Sequence, residues 1–202
     1  MTRGALHHGC RAVRFPWAAF LLILLAPAGF GCASGEGAVR TGPQLDLRQR
    51  QLFDNGVDLI ADPTGLQGAW LDQWQAELDE RLGHADSIVE VEVSAVRTDT
   101  DPGRHTSYRI MVRVLRVLKG ELEARELSLA SLQSDAGFPS VERNGSQLLQ
   151  RRFVAFLLRG VADDGAGRDH FHLSPPSQAT LDRIAQAEGS HIEATTIVRE
   201  AR

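Results

Sequence analysis

The sequence predicts an α+β fold, mainly β, in which a small β-barrel or curled antiparallel sheet has an amphipathic helix packed on it. Three observations carry this. A four-residue apolar repeat runs from Leu66 to Leu82. Two long stretches, Ile88–Val96 and Tyr108–Leu118, alternate with period two. Shorter β-rich runs follow, broken by Pro, Gly and Asp.

The elements follow in chain order. Gly-rich residues 32–40 predict a flexible tether. Asp62-Pro63-Thr64-Gly65 is a turn signal. Leu66, Trp70, Trp74, Leu78 and Leu82 form one helical stripe, widened by Leu71, and Gly83 is the expected stop. On this reading both tryptophans pack the helix onto the sheet; the competing reading makes them a ligand platform or a partner-binding surface.

In the first strand Val89, Val91, Val93 and Ala95 share one face, with Glu90, Glu92 and Ser94 opposite. Asp99 to Gly103 turns the chain. In the second strand Tyr108, Ile110, Val112 and Val114 face the core. The phase slips near Leu115-Arg116-Val117, predicting a bulge or strong bend. Glu126–Leu132 is a third strand. Phe153–Leu158, apolar throughout, reads as central, and Phe171–Ser174 is stopped by Pro175-Pro176. Residues 134–150 form a long loop, Gln178–Glu188 a short helix, and Thr195–Val198 an edge strand.

The first 31 residues have a different character. Arg3, Arg11 and Arg14 precede an apolar run from Phe15 to Pro27 and a small-residue stretch, as in a secretory signal. They hold three of the 22 basic residues and no acid, which leaves 19 basic residues against 26 acidic ones, a net charge of −7. That balance argues against a nucleic-acid partner. Lys119 is the single lysine among the 22 basic residues, which points to a GC-rich genome.

Ala28-Gly29-Phe30-Gly31-Cys32 resembles the lipobox of bacterial lipoproteins, departing from it in having Gly29 where leucine is common. The resemblance implies cleavage before Cys32 and acylation of that cysteine. Ala33, rather than aspartate, then favours the outer membrane. Several acyl chains would make the anchor stable.

Ala85-Asp86-Ser87-Ile88-Val89, Arg116-Val117-Leu118-Lys119-Gly120 and Arg152-Phe153-Val154-Ala155-Phe156 together resemble the netrin-like and tissue-inhibitor-of-metalloproteinases type of OB-fold barrel over about residues 85–175. The resemblance implies an OB-like fold. It does not extend to inhibition, since that family acts through a free N-terminal cysteine held by disulfides. The chain is also similar to predicted lipoproteins of GC-rich Gram-negative bacteria, through Asp62-Pro63, Leu66, Trp70 to Trp74, Phe153 and His172-Leu173-Ser174-Pro175.

The resulting domain reading is a signal peptide over 1–31, a lipidated tether over 32–45, a helical segment over 46–84, an OB-like β domain over 85–176, and a C-terminal helix and tail over 177–202. No hydrolase or phosphate-loop motif occurs, and no cofactor is implied. His170 and His172 leave one face of a strand near Asp169, Asp163 and Asp164, and are the metal candidates. The competing reading puts both on the solvent face. Glu90 and Glu92 opposite Arg109 and Arg113 suggest a cross-strand charge ladder. Phe138, in the long loop, is either a partner anchor or a tucked-in aromatic.

The sequence therefore suggests a lipid-anchored, non-enzymatic binding or assembly module of the bacterial envelope, with the membrane and an envelope protein as partners. A metal-binding protein or small metal-dependent enzyme using His170 and His172, and an inhibitor-like module, are the alternatives.

Overall fold

A computed structural model describes residues 43–161 and 167–200. The signal peptide, Cys32, most of the tether, Asp163 and Asp164 lie outside them. The elements are α1 (Leu47–Leu52), β1 (Gly56–Val57), a single 3-10 turn (Pro63–Gly65), α2 (Ala69–His84), β2 (Ser87–Thr100), β3 (Thr106–Lys119), β4 (Glu126–Leu132), α3 (Phe138–Leu148), β5 (Arg152–Val161), β6 (Gly167–Ser174) and α4 (Gln178–Glu200). The fold is α+β. One six-stranded sheet, in the order β1-β6-β5-β2-β3-β4, curls into a half-barrel.

Its curl has a local cause. β2 and β3 pair antiparallel, but the register slips three times. Ile88 faces Lys119 and Val89 faces Val117, leaving Leu118 extra; Glu90 faces Arg116 and Val91 faces Val114, leaving Leu115 extra; Val93 faces Val112 and Ala95 faces Met111, leaving Ser94 extra. Each extra residue is a bulge, which bends a strand and adds twist. Two of the three fall where the apolar phase slips in the sequence.

Two apolar layers lie on the two faces of this sheet. Val89, Val91, Val93, Ile110, Val112, Phe153, Phe171 and Leu173 form one, closed by Val141 and Leu148 of α3. Leu52, Phe53, Leu78, Leu82, Ile88, Val154 and Phe156 form the other, under α1, α2 and α4. β5 reads as an unbroken apolar run because it sits between β6 and β2 and is covered on both faces.

Asp86, Lys119 and Gly120 hold the junctions between α2, β2, β3 and β5. Asp86 accepts the Arg159 amide at 2.8 Å, and its own amide bonds Leu157 O at 2.9 Å, pinning the start of β2 to β5. The Lys119 ammonium donates to Leu82 O at 2.6 Å and so caps α2 at its negative end. Gly120 follows at φ 73°, where a Cβ would sit 2.3 Å from Asp86 O.

Several expectations are corrected. The long loop contains α3, whose Phe138, Val141, Gly145 and Leu148 fall on one buried face; its Pro, Ser, Asn and Gly content hid that periodicity. The edge strand expected at Thr195–Val198 is instead part of α4, which runs on to Glu200. The α2 helix starts at Ala69, behind the 3-10 turn, not at Leu66. Trp70 is 73 % exposed, so only Trp74 packs inward. The charge ladder is offset: Arg113 meets Glu92, Arg116 meets Glu90, and Arg109 reaches Asp99. Phe138 is buried, its ring centroid 5.4 Å from that of Tyr108, so the partner-anchor reading of this residue falls. Neither β1 nor α1 was legible in the apolar pattern.

Candidate functional site

The site begins with Asp54-Asn55-Gly56. Asn55 takes a left-handed φ of 58°, which asparagine tolerates well. The turn lets the next two residues run parallel to β6, with Gly56 beside His172 and Val57 beside Leu173. Asn55 then clasps β6. Its amide donates to Phe171 O at 2.9 Å, and its Oδ1 accepts from the Phe171 amide at 3.0 Å. A close approach tightens the seam: a Cβ on Gly137 would lie 2.4 Å from Gly56 Cα, and the Gly137 amide donates to Asp54 O at 2.8 Å.

This seam decides where the two histidines go. Both are buried, about 5 % and 6 % exposed, on the face of β6 opposite Phe171 and Leu173. The solvent-face reading of these residues is therefore wrong. His170 Nδ1 lies 3.2 Å from Asn55 Nδ2. His172 Nδ1 lies 2.9 Å from Asp54 Oδ1, which also accepts the Gly56 amide at 3.1 Å. Both Nε2 atoms are buried and have no hydrogen-bond partner among the described residues. Burial, reinforced by the Arg168 charge, holds the His170 pKa down at about 4, so its ring is neutral at neutral pH.

The histidines share a face but not a partner. Asp169 pairs with Arg159 at 3.2 Å. Among the described residues no three His, Cys, Asp or Glu side chains converge to hold a metal ion.

His172 instead joins a groove of about 220 Å³ between residues 58–66 and α2. The near wall is shaped by the 3-10 turn, where Asp62 caps the Thr64 amide at 2.9 Å and Pro63 occupies the first position. Gly68, at φ 58°, then turns the chain into α2. On α2 the residues Trp70, Gln73, Trp74, Glu77 and Arg81 recur at spacings of three and four and line the far wall. Ile60, Leu66, Trp70 and Trp74 supply apolar surface, with Trp70 and Ile60 exposed.

The polar part of the lining is charged. Arg81, about 6 % exposed, donates through Nε to Leu52 O at 2.9 Å and through Nη2 to Glu77 Oε2 at 3.1 Å. Burial pushes its pKa down, opposed by the charges of Glu77, Asp54 and Asp58. Gln73 donates to the other Glu77 oxygen at 3.0 Å. Asp58 Oδ1 caps the Ile60 amide at 2.8 Å.

Sequence reading singled out Trp70, Trp74 and His172 separately, and the fold brings all three to one groove. It missed Asp54, Asn55 and Arg81. The Asp-Asn-Gly turn signal and the Glu77/Arg81 spacing of four were the available clues. Phe138 packs on Tyr108, which lies against the other apolar layer, and it does not line this groove. Two larger hollows are less suited to a ligand. The one between α2 and α4 is spanned by an Asp79–Arg183 pair at 2.6 Å, and the one beside Leu122 and Leu157 has its Arg159 paired with Asp169. No protein-family model matches the chain, and no curated protein matches it.

Proposed function

We propose that this chain is a lipid-anchored binding module of the bacterial envelope, held by acylated Cys32 in the outer membrane and engaging an envelope partner through the Trp70 groove. The observation that carries the reading is Trp70: a tryptophan left 73 % exposed beside the buried side chains of Arg81 and His172. Exposed aromatic surface next to buried charge is costly to keep without a use, and tryptophan is enriched among the residues that dominate binding interfaces. Binding fits better than acid–base catalysis, since His172 Nε2 is closed off from water.

The β domain is read as an OB-like barrel. In its favour, β2 to β6 pair in the order β6-β5-β2-β3-β4, and a helix sits between β4 and β5 in the chain. The β4 and β6 sides are linked by Arg168 and Asp135, at 2.5 Å, rather than by a ladder. The anchor is tested by labelling cells with a palmitate analogue. Label on the wild-type chain in the membrane fraction, and none on Cys32→Ser, is the expected result. Equal labelling of both would overturn the lipid-anchor reading.

A further inference from the structure

We propose that the Trp70 groove takes a basic side chain, arginine or lysine, from a partner polypeptide. The inference rests on the reading of this groove as the binding surface and names the chemistry that fills it.

Size argues first. At about 220 Å³ the groove falls below the roughly 300 Å³ at which sites for small-molecule ligands begin, and it suits a single side chain. Charge argues second. Three carboxylates, Asp54, Asp58 and Glu77, surround the one guanidinium of Arg81. One guanidinium against three carboxylates leaves these surroundings with an excess of negative charge. Arg81 offsets one of these charges, and its Nε and Nη2 are already engaged by Leu52 O and Glu77. An entering carboxylate would meet net repulsion.

Hydrogen bonding argues third. A carboxylate can only accept, so Asp54 requires the proton on His172 Nδ1. That Asp54 oxygen is taken by His172 and the Gly56 amide, and His172 Nε2 is buried out of reach. Asp58 has one oxygen on the Ile60 amide and no bond from a described residue to the other. That second Asp58 oxygen can accept from the N–H of a guanidinium or ammonium. Trp70 and Trp74, four residues apart on α2, add apolar surface for the aliphatic stem and π-faces for the cation.

The test is an NMR titration of the full-length chain in detergent micelles, following the indole N–H signals of Trp70 and Trp74. The probes are the N-acetyl amides of arginine, lysine, norleucine and glutamate, with agmatine as a free cation. Saturable shifts with the arginine and lysine amides are expected, with norleucine and glutamate inert. The Asp58→Asn variant should bind about tenfold more weakly, as loss of a charge-assisted hydrogen bond implies. Norleucine matching arginine, or glutamate exceeding it, would overturn the cation while leaving the groove as a binding surface. Agmatine binding well above the arginine amide would overturn the side-chain source. Silence from every probe would overturn the inference, and crosslinking from the groove rim in cells then decides separately whether the surface binds anything.

Discussion

The imidazole Nδ1 of His172 and the carboxylate Oδ1 of Asp54 lie 2.9 Å apart, and this one bond ties the groove to the sheet. Asp54 also takes the Gly56 amide, and its carbonyl takes the Gly137 amide. A single residue therefore orients the His172 ring, starts the parallel strand β1 and seats α3. The inner end of the groove is thus built on the β1–β6 seam, where Gly56 pairs with His172.

The two tryptophans should separate cleanly. Trp70→Ala removes an exposed side chain and is expected to change stability by less than about 0.5 kcal/mol. Trp74→Ala removes one packed against the layer around Leu78 and Leu82, and should cost roughly 1–3 kcal/mol. Urea unfolding of both variants checks this; equal losses would mean that Trp70 is structural.

Glycines give a second contrast. Gly137→Ala would place a Cβ 2.4 Å from Gly56 Cα and 2.7 Å from Asp54 O, all backbone atoms that cannot rotate away. A loss of at least about 2 kcal/mol is expected. Gly83→Ala, in α2 with nothing within 4 Å, should instead gain about 0.5–1 kcal/mol. Thermal melts that rank the two the other way would contradict the seam described above.

His170 should leave a mark on the pH dependence of stability. Its native pKa of about 4 lies below the ordinary 6.5, through burial and the charges of Arg168 and Arg50 against those of Asp135 and Asp169. Above pH 6.5 both native and unfolded rings are neutral, and there is no penalty. Between 6.5 and 4 the unfolded chain takes up a proton that the native chain refuses, so stability falls as pH falls. The full loss is on the order of 1–3 kcal/mol. In His170→Gln the slope across that window should flatten; an unchanged slope would assign it to other groups.

Much of the fold was legible because β-branched alternation and two-sided burial leave strong marks. The third strand coincides with β4 at Glu126–Leu132, and the slip at Leu115–Val117 marks two real bulges. What failed had a different physics. In α3 the buried Phe138, Val141 and Leu148 are spaced helically, but the intervening Pro139, Ser140, Asn144 and Gly145 read as a loop. At Trp70 the stripe failed because a strict four-residue repeat drifts about 40° per step on a helix of about 3.6 residues per turn, so it rotates away from the face that Leu78 and Leu82 bury. The candidate site was only partly visible. Residues 54–57 reach β6 by a parallel pairing of two residues, too short for any periodicity, so the partners of His170 and His172 lay more than a hundred positions away in sequence.

The groove as a binding surface on an anchored chain is tested most directly by in-cell photocrosslinking. A photoreactive residue at Ile60, on the exposed rim beside Trp70, is introduced into the full-length chain. The account predicts a discrete crosslinked species in the membrane fraction that is lost when Trp70→Ala is added and strongly reduced by Asp58→Asn. A crosslinking pattern that neither substitution changes would contradict it.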